Sequence, residues 1–232
     1  ATKSDGTLWM AGHNGQGNCG HNDTVPRSSP KQIPGTQWSM TAGGYGQQGG
    51  IKTDGTLWMW GYNVNGSVGF DNRINYSSPI QIPGTWPTEN GQFYHSRATH
   101  GIKTDGTLWA WGYQNSGQLG LNDGGVQRSS PTQIPGNQWR FVTSGQATFA
   151  IKNDGTLWAI GGSDSSGGLA LNTVNIPRSS PIQIPGTQWE TVQAGNYFFV
   201  ATKTDGTIWP CGSNGNGRLG LNNDVQRSSP TQ

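Results

Sequence analysis

An all-β fold of stacked four-stranded antiparallel sheets is predicted by three features: a five-residue motif returning at an even period, the lack of any helical spacing, and an excess of tryptophan and glycine. The motif Asp-Gly-Thr-Leu-Trp begins at Asp5, Asp54, Asp105 and Asp154, and returns from Asp205 with Ile208 in the leucine place. The intervals are 49, 51, 49 and 51 residues, and a period of that length marks a repeat architecture. Eleven tryptophans and 38 glycines supply large flat side chains to fill the space between sheets and backbone positions that tolerate turns and close approach.

Asp-Gly between two runs of alternating residues is a hairpin signal, and the sequence predicts a two-residue primed turn at each copy. The period that starts at Trp139 gives the template. A first strand runs through Phe141 and Val142, a second from Phe149 to Lys152, and a third follows the turn from Thr156 to Ile160. The fourth lies between Pro181 and Pro185, whose missing N–H groups place it at a sheet edge. Leu57 and Met59 alternate with Trp58 and Trp60, so both faces of the sheet carry apolar bulk. Such a sheet needs a neighbour on each side, and radial stacking meets that need, as in a β-propeller. The predicted organisation is one β-propeller domain over residues 1–232, with repeats at about 1–35, 36–84, 85–136, 137–186 and 187–232. Both ends fall within a repeat, so the five units are expected to be part of a longer or seven-bladed ring.

A formal net charge of +2 with 11% charged residues provides no electrostatic footprint for nucleic acid. No apolar run reaches the length of a membrane span. Cys19 stands where other repeats have Leu119 or Leu219, and Cys211 where they have Trp60 or Trp111, so both are expected as buried thiols rather than as a bridge. The wealth of Gly, Asn, Gln and Thr leans towards an extracellular or surface protein, and the compartment stays open.

Trp9, Trp58, Trp60, Trp109, Trp111, Trp158 and Trp209 recur with the period and are expected to form the repeat core, with Trp38, Trp86, Trp139 and Trp189 after the Pro-Gly pairs. The five aspartates sit at hairpin tips, where the turn itself demands them. Glu89 and Glu190 are the only glutamates, and no two carboxylates form an acid and base pair. His13, Cys19 and His21 lie within nine residues but fit no zinc spacing. The expectation is therefore no catalytic residue, no metal and no cofactor. The segment from Gly84 to Asp105 spans 21 residues where its counterparts span 19, 18 and 19. It reads as a loop-like irregularity, and Trp86, Phe93, Tyr94, His95, Arg97 and His100 within it are the candidate partner-binding residues.

With Gly112, Tyr113, Gln114, Asn115, Gly117, Gln118, Leu119 and Gly120 following Asp105, Gly106, Thr107, Leu108, Trp109 and Trp111, the repeat resembles that of the regulator of chromosome condensation family. The resemblance implies four-stranded blades, usually seven, with the ring closed by strands from the two chain ends. The family's histidine after an Ala-Gly pair is missing, since Ala194 and Gly195 lead to Phe198. Family members serve as nucleotide-exchange factors, β-lactamase inhibitors, ultraviolet photoreceptors and ligase-associated recognition domains, and the fold alone does not choose among these. The glycine, tryptophan, arginine motif of the photoreceptors is absent. The function expected is a non-catalytic scaffold whose loops bind a protein partner, within a larger assembly or through self-association at an open blade edge. The alternatives are a secreted or surface carbohydrate-binding protein and, behind it, a guanine-nucleotide exchange regulator.

Overall fold

The motif closes its hairpin with its own side chains. Gly55 donates its N–H to the Lys52 carbonyl at 2.9 Å, and Lys52 donates to the Thr56 carbonyl at 3.0 Å. Thr53, Asp54 and Gly55 therefore form a three-residue loop, in which Gly55 alone takes a positive φ, of 79°. This corrects the two-residue turn expected from the sequence. A single left-handed residue suffices once Asp54 stays right-handed, and glycine fills that position. Asp54 Oδ1 accepts from the Thr56 N–H and hydroxyl at 3.0 and 2.7 Å, and Thr56 Oγ1 accepts from Trp58 Nε1 at 2.9 Å. Lys52 Nζ lies 4.7 Å from the Trp58 ring centre and 5.1 Å from that of Trp38, within cation–π range. The chain through Asp, Thr and Trp recurs at Asp5, Asp154 and Asp205. In these four copies the Thr hydrogen bonds hold the exposed carboxyl below the usual carboxylate range.

The computed structural model describes residues 1–44, 46–89, 93–95, 98–123, 125–162, 168–170 and 179–232. Their strands are β1 (Trp9–Gly12), β2 (Arg27–Gln32), β3 (Trp38–Gly43), β4 (Gln47–Lys52), β5 (Leu57–Gly61), β6 (Tyr76–Ile82), β7 (Phe93–His95), β8 (Ala98–Ile102), β9 (Leu108–Gly112), β10 (Arg128–Gln133), β11 (Trp139–Ser144), β12 (Thr148–Lys152), β13 (Leu157–Ile160), β14 (Ile182–Ile184), β15 (Trp189–Ala194), β16 (Phe198–Lys203) and β17 (Ile208–Gly212). They form meander sheets in the orders β1-β2, β3-β4-β5-β6, β7-β8-β9-β10, β11-β12-β13-β14 and β15-β16-β17. The blade template read from the period thus appears three times with four strands. The segment read as loop-like supplies β7 and β8, the opening strands of the third sheet. Its irregularity lies instead before β7: Trp86 follows Thr85 directly, whereas Trp38, Trp139 and Trp189 follow a glutamine with positive φ.

By its internal contacts the chain divides into two compact units. The first holds residues 1–105, 109–113 and 127–132, and its cores form around Leu57, Met59, Trp86 and Trp111, and around Leu8, Ile33, Trp38 and Trp60. Trp38 and Trp60 meet edge to face with centres 6.0 Å apart, as do Trp86 and Trp111 at 5.9 Å. The second unit holds residues 106–108, 114–126 and 133–232, with a core of Phe149, Ile151, Leu157, Trp189, Val192 and Phe199. There Trp139 meets Trp158, and Trp189 meets Trp209, in the same manner.

The tryptophans fall into two burial classes. Trp38, Trp60, Trp86, Trp111, Trp139 and Trp189 are buried, while Trp9, Trp58, Trp109, Trp158 and Trp209 are half-buried. Truncating a fully buried indole removes a large apolar area and leaves a cavity. Trp189→Ala is expected to lower unfolding free energy by about 3–5 kcal/mol, and Thr156→Val, which deletes one hydroxyl from a turn, by about 1 kcal/mol. Urea denaturation of the two variants beside the parent checks both the values and their order.

Candidate docking groove

Four of the loops that follow the hairpin are each shaped by one buried amide, at Asn14, Asn63, Gln114 and Asn214. Asn63 is fully buried. Its Oδ1 accepts from the Val68 N–H at 2.8 Å, and its Nδ2 donates to the carbonyls of Asn72 and Ile74 at 3.0 Å each. Asn14 and Asn214 bind the equivalent groups of their own loops. Gln114 Oε1 accepts from the Leu119 N–H and Gln114 Nε2 donates to Asp123. Three of these loops then reach the next repeat. In the first unit the N–H groups of Asn22 and Asp71 donate to the carbonyls of Ser77 and Ser129 at 2.7 Å, and in the second Asn122 donates to Ser179 at the same distance. All three donors take positive φ, between 51° and 60°. Trp60 and Trp111 complete the joint, their indole N–H groups donating to the carbonyls of Asn18 and Ser67 at 3.0 and 2.9 Å.

The Asp71 loop is set apart from its counterparts by a phenylalanine. Phe70 stands where other repeats have His21, Leu121 and Leu221, and 45% of it is exposed. Its ring meets Tyr76 edge to face at 5.9 Å. Asn72 Nδ2 donates to the Tyr76 hydroxyl at 2.7 Å and to the Phe70 carbonyl at 3.0 Å, which fixes both. Gly69 (φ +85°) lies so close to Trp111 that an added Cβ would come within 2.6 Å of its Nε1. The result is a groove of about 450 Å³ lined by Phe70, Asp71, Pro83, Trp109, Lys103 and Pro131, with Gly69 and Ser130.

The groove walls are two aromatic rings and two prolines. Lys103 Nζ sits 3.7 Å from the Trp109 ring centre and 5.5 Å from that of Trp86. Desolvation pushes its ammonium below the usual lysine value, with Asp105 opposing. The Asp71 carboxylate is exposed at the rim. Such a surface suits apolar and aromatic side chains with one polar group to orient them.

Of the candidate partner-binding residues, Trp86, Phe93, His95 and His100 are buried, at 1%, 6%, 3% and 0% exposure. Tyr94 is half-buried, and burial raises its hydroxyl pKa. Arg97 lies outside the described residues. The sequence reading missed Phe70 and Trp109 as a pair. The signal was present: Phe70 is the one aromatic residue at its repeat position, and it precedes an aspartate where the other loops have asparagine. Near the start of the chain, Cys19 Sγ rests 3.8 and 3.7 Å from the carbonyls of Gly12 and His13, and His21 Nε2 bonds the Lys31 carbonyl at 3.0 Å. These contacts hold the loop, and among the described residues no three His, Cys, Asp or Glu side chains converge. Both cysteines are free and buried, and no described helix is long and apolar enough to cross a membrane.

Sheets of this order, joined by repeated loop and indole contacts, define a β-propeller repeat protein. Residues 105–147 match the regulator of chromosome condensation (RCC1) repeat. The chain is similar in structure to human WBSCR16, at 20% identity and TM-score 0.81 over 98% of this chain and 62% of that one. It is also similar to Prp20p from Saccharomyces cerevisiae, at 15% identity and TM-score 0.78 over 100% and 60%, and to yeast RCC1 (Prp20) bound to Kap60, at 17% identity and TM-score 0.77 over 92% and 53%. No curated protein matches the chain. The fold is the RCC1-like β-propeller, and the chain spans about 60% of the length of WBSCR16 and Prp20p.

Because Asn63 satisfies three backbone groups from inside the loop, Asn63→Ala strands them away from water. Its expected cost is about 2–4 kcal/mol, and hydrogen exchange at the Val68 amide is expected to quicken more than at amides of β12.

Proposed function

We propose that this chain is a non-catalytic scaffold that binds protein partners through its rim loops, with the groove between Phe70 and Trp109 as the docking site. The observation that carries the reading is the Phe70 loop, where a large aromatic side chain is held exposed by Tyr76 and Asn72 beside a groove of apolar walls. Exposed rigid aromatics next to a pocket are what protein interfaces use as anchors. The fold supports the same direction: the structures of Prp20 concern its binding to Kap60, and to Gsp1p and histones. A sugar would require several convergent hydrogen-bonding groups, whereas Asp71, Lys103 and Ser130 are the polar side chains of this groove and Lys103 is held against indoles. A partner that meets the 86–100 segment directly would find, among its described side chains, Thr88 and Glu89 exposed and Pro87 and Tyr94 half-exposed.

Phe70→Ala combined with Asp71→Lys is expected to weaken partner binding by tenfold or more, with Val225→Ser, on an exposed residue of another loop, as the control that retains it. Affinity capture with quantitative mass spectrometry, followed by titration of the partner recovered, measures the difference. A partner held equally by the double variant and the parent would exclude the groove. Stimulated nucleotide release from a small GTPase would instead favour an exchange function.

A further inference from the structure

His95 is buried at the contact of β7 with the neighbouring sheet of the first unit. Its Nδ1 lies 2.7 Å from Thr99 Oγ1, which donates to the Ser67 carbonyl at 3.0 Å, the carbonyl that also receives Trp111 Nε1. With Thr99's proton committed to Ser67, His95 Nδ1 is left to donate to Thr99 Oγ1, so the neutral ring carries its proton on Nδ1 and presents a bare Nε2. That Nε2 has no geometrically aligned hydrogen-bond partner among the described residues. The ring lies parallel to Phe93, 6° between planes with centres 6.5 Å apart. The Nδ1–H tautomer fits the bond to Thr99 and Ser67, and the ring sits where water does not reach to solvate a second proton.

Protonation would put a charge on Nε2 in that interior. The Gln47 carbonyl favours the charged ring, but desolvation outweighs it and the neighbouring His100 adds to the opposition, so that His95 protonates only at about 4. The elements packed on β7 offer little compensation. β3 carries no titratable side chain, β4 carries only Lys52, which is held over Trp38 and Trp58, and the loop through Ser67 carries Tyr62 and, both exposed to water, Asp71 and Arg73. β7 itself has Tyr94 and β8 has His100. Among these, His100 is the one that acts on His95 through charge, and it acts as a like charge.

We infer that the β7–β8 hairpin is an acid-sensitive joint, seated on β4 and on the Ser67 loop while His95 is neutral and released when that ring takes up a proton. The direction follows from linkage. An unfolded or released histidine binds its proton near 6.5 and the seated one near 4, so the released state holds more protons between those values. The contribution of the joint is complete above about pH 6.5 and declines as pH falls towards 4, by a population factor on the order of a hundredfold. The turn aspartates Asp5, Asp54, Asp154 and Asp205 are held below the ordinary carboxylate value of 3.8 and so act beneath this window.

The hairpin also reaches the groove. A Cβ on Gly101 of β8 would come within 2.6 Å of Trp86, and Lys103, one residue past β8, lines the groove against Trp109. Release of β8 would disturb that wall, so docking is expected to weaken in acid; this consequence rests on the docking function proposed above, and the joint itself does not.

Hydrogen exchange of the whole chain at pH 7.5 and pH 4.8, corrected for intrinsic rates, tests the joint. Amides of β7 and β8 are expected to lose at least tenfold more protection than those of β12 and β13, and His95→Phe, which cannot charge, is expected to abolish the difference. Equal loss in the two regions, or the same loss in the variant, would overturn the joint. Should the variant not fold, imidazole titration of the parent by NMR decides: His95 near 4 supports it and a value near 6.5 overturns it. A hairpin released in acid with partner affinity unchanged would leave the joint standing and remove the groove as its target.

Discussion

A sheet with apolar side chains on both faces cannot rest against water, and that constraint governs everything else in this protein. Leu57 and Met59 point one way from β5 and Trp58 and Trp60 the other, so each sheet must be covered twice. The covering is achieved by two recurring contacts. One is a buried indole lodged against the preceding repeat with its N–H donated to a backbone carbonyl there, as in Trp60 to Asn18 and Trp111 to Ser67. The other is a loop N–H donated to a serine carbonyl of the next sheet, at Asn22, Asp71 and Asn122. The first supplies buried area and the second supplies register, because a hydrogen bond of 2.7 Å allows little sliding.

Much of this was legible because the repeat states each requirement several times. The turn, the alternation behind it and the edge strand bracketed by prolines follow from residue chemistry, and the sheets have the predicted order. The turn type was misjudged because Asp-Gly serves both a two-residue and a three-residue loop. The choice is made by Thr56, whose hydroxyl and N–H draw the Asp54 carboxylate back onto the chain. The segment before Asp105 was misjudged for a related reason. A local insertion looks like a loop when strand length is three residues and the strand holds Tyr94, His95 and a neighbouring phenylalanine rather than a run of valines.

The groove was harder to foresee. Phe70 and Trp109 are far apart in sequence, and each by itself reads as ordinary: one as a substituted leucine, the other as a member of a core series. Their juxtaposition depends on the positive φ of Asp71 and on the close approach allowed at Gly69, neither of which has a signature in spacing. Similarly, nothing in the spacing singles out Asn63, although it is the residue that gives the loop its shape.

The bonds that shape a turn or a loop here begin and end within one repeat: Lys52 to Trp58 for the turn, Asn63 to Ile74 for the loop. The joints between repeats recur at equivalent places, serine carbonyls accepting from the N–H groups of Asn22, Asp71 and Asn122 and turn-glycine carbonyls from those of Trp38, Trp86, Trp139 and Trp189. A unit can therefore be duplicated, deleted or exchanged without redesign of its neighbours. Arrays of this kind are free to change length by recombination in the gene, and a single altered loop, such as the one that carries Phe70, can acquire a new task while the others continue to hold the frame.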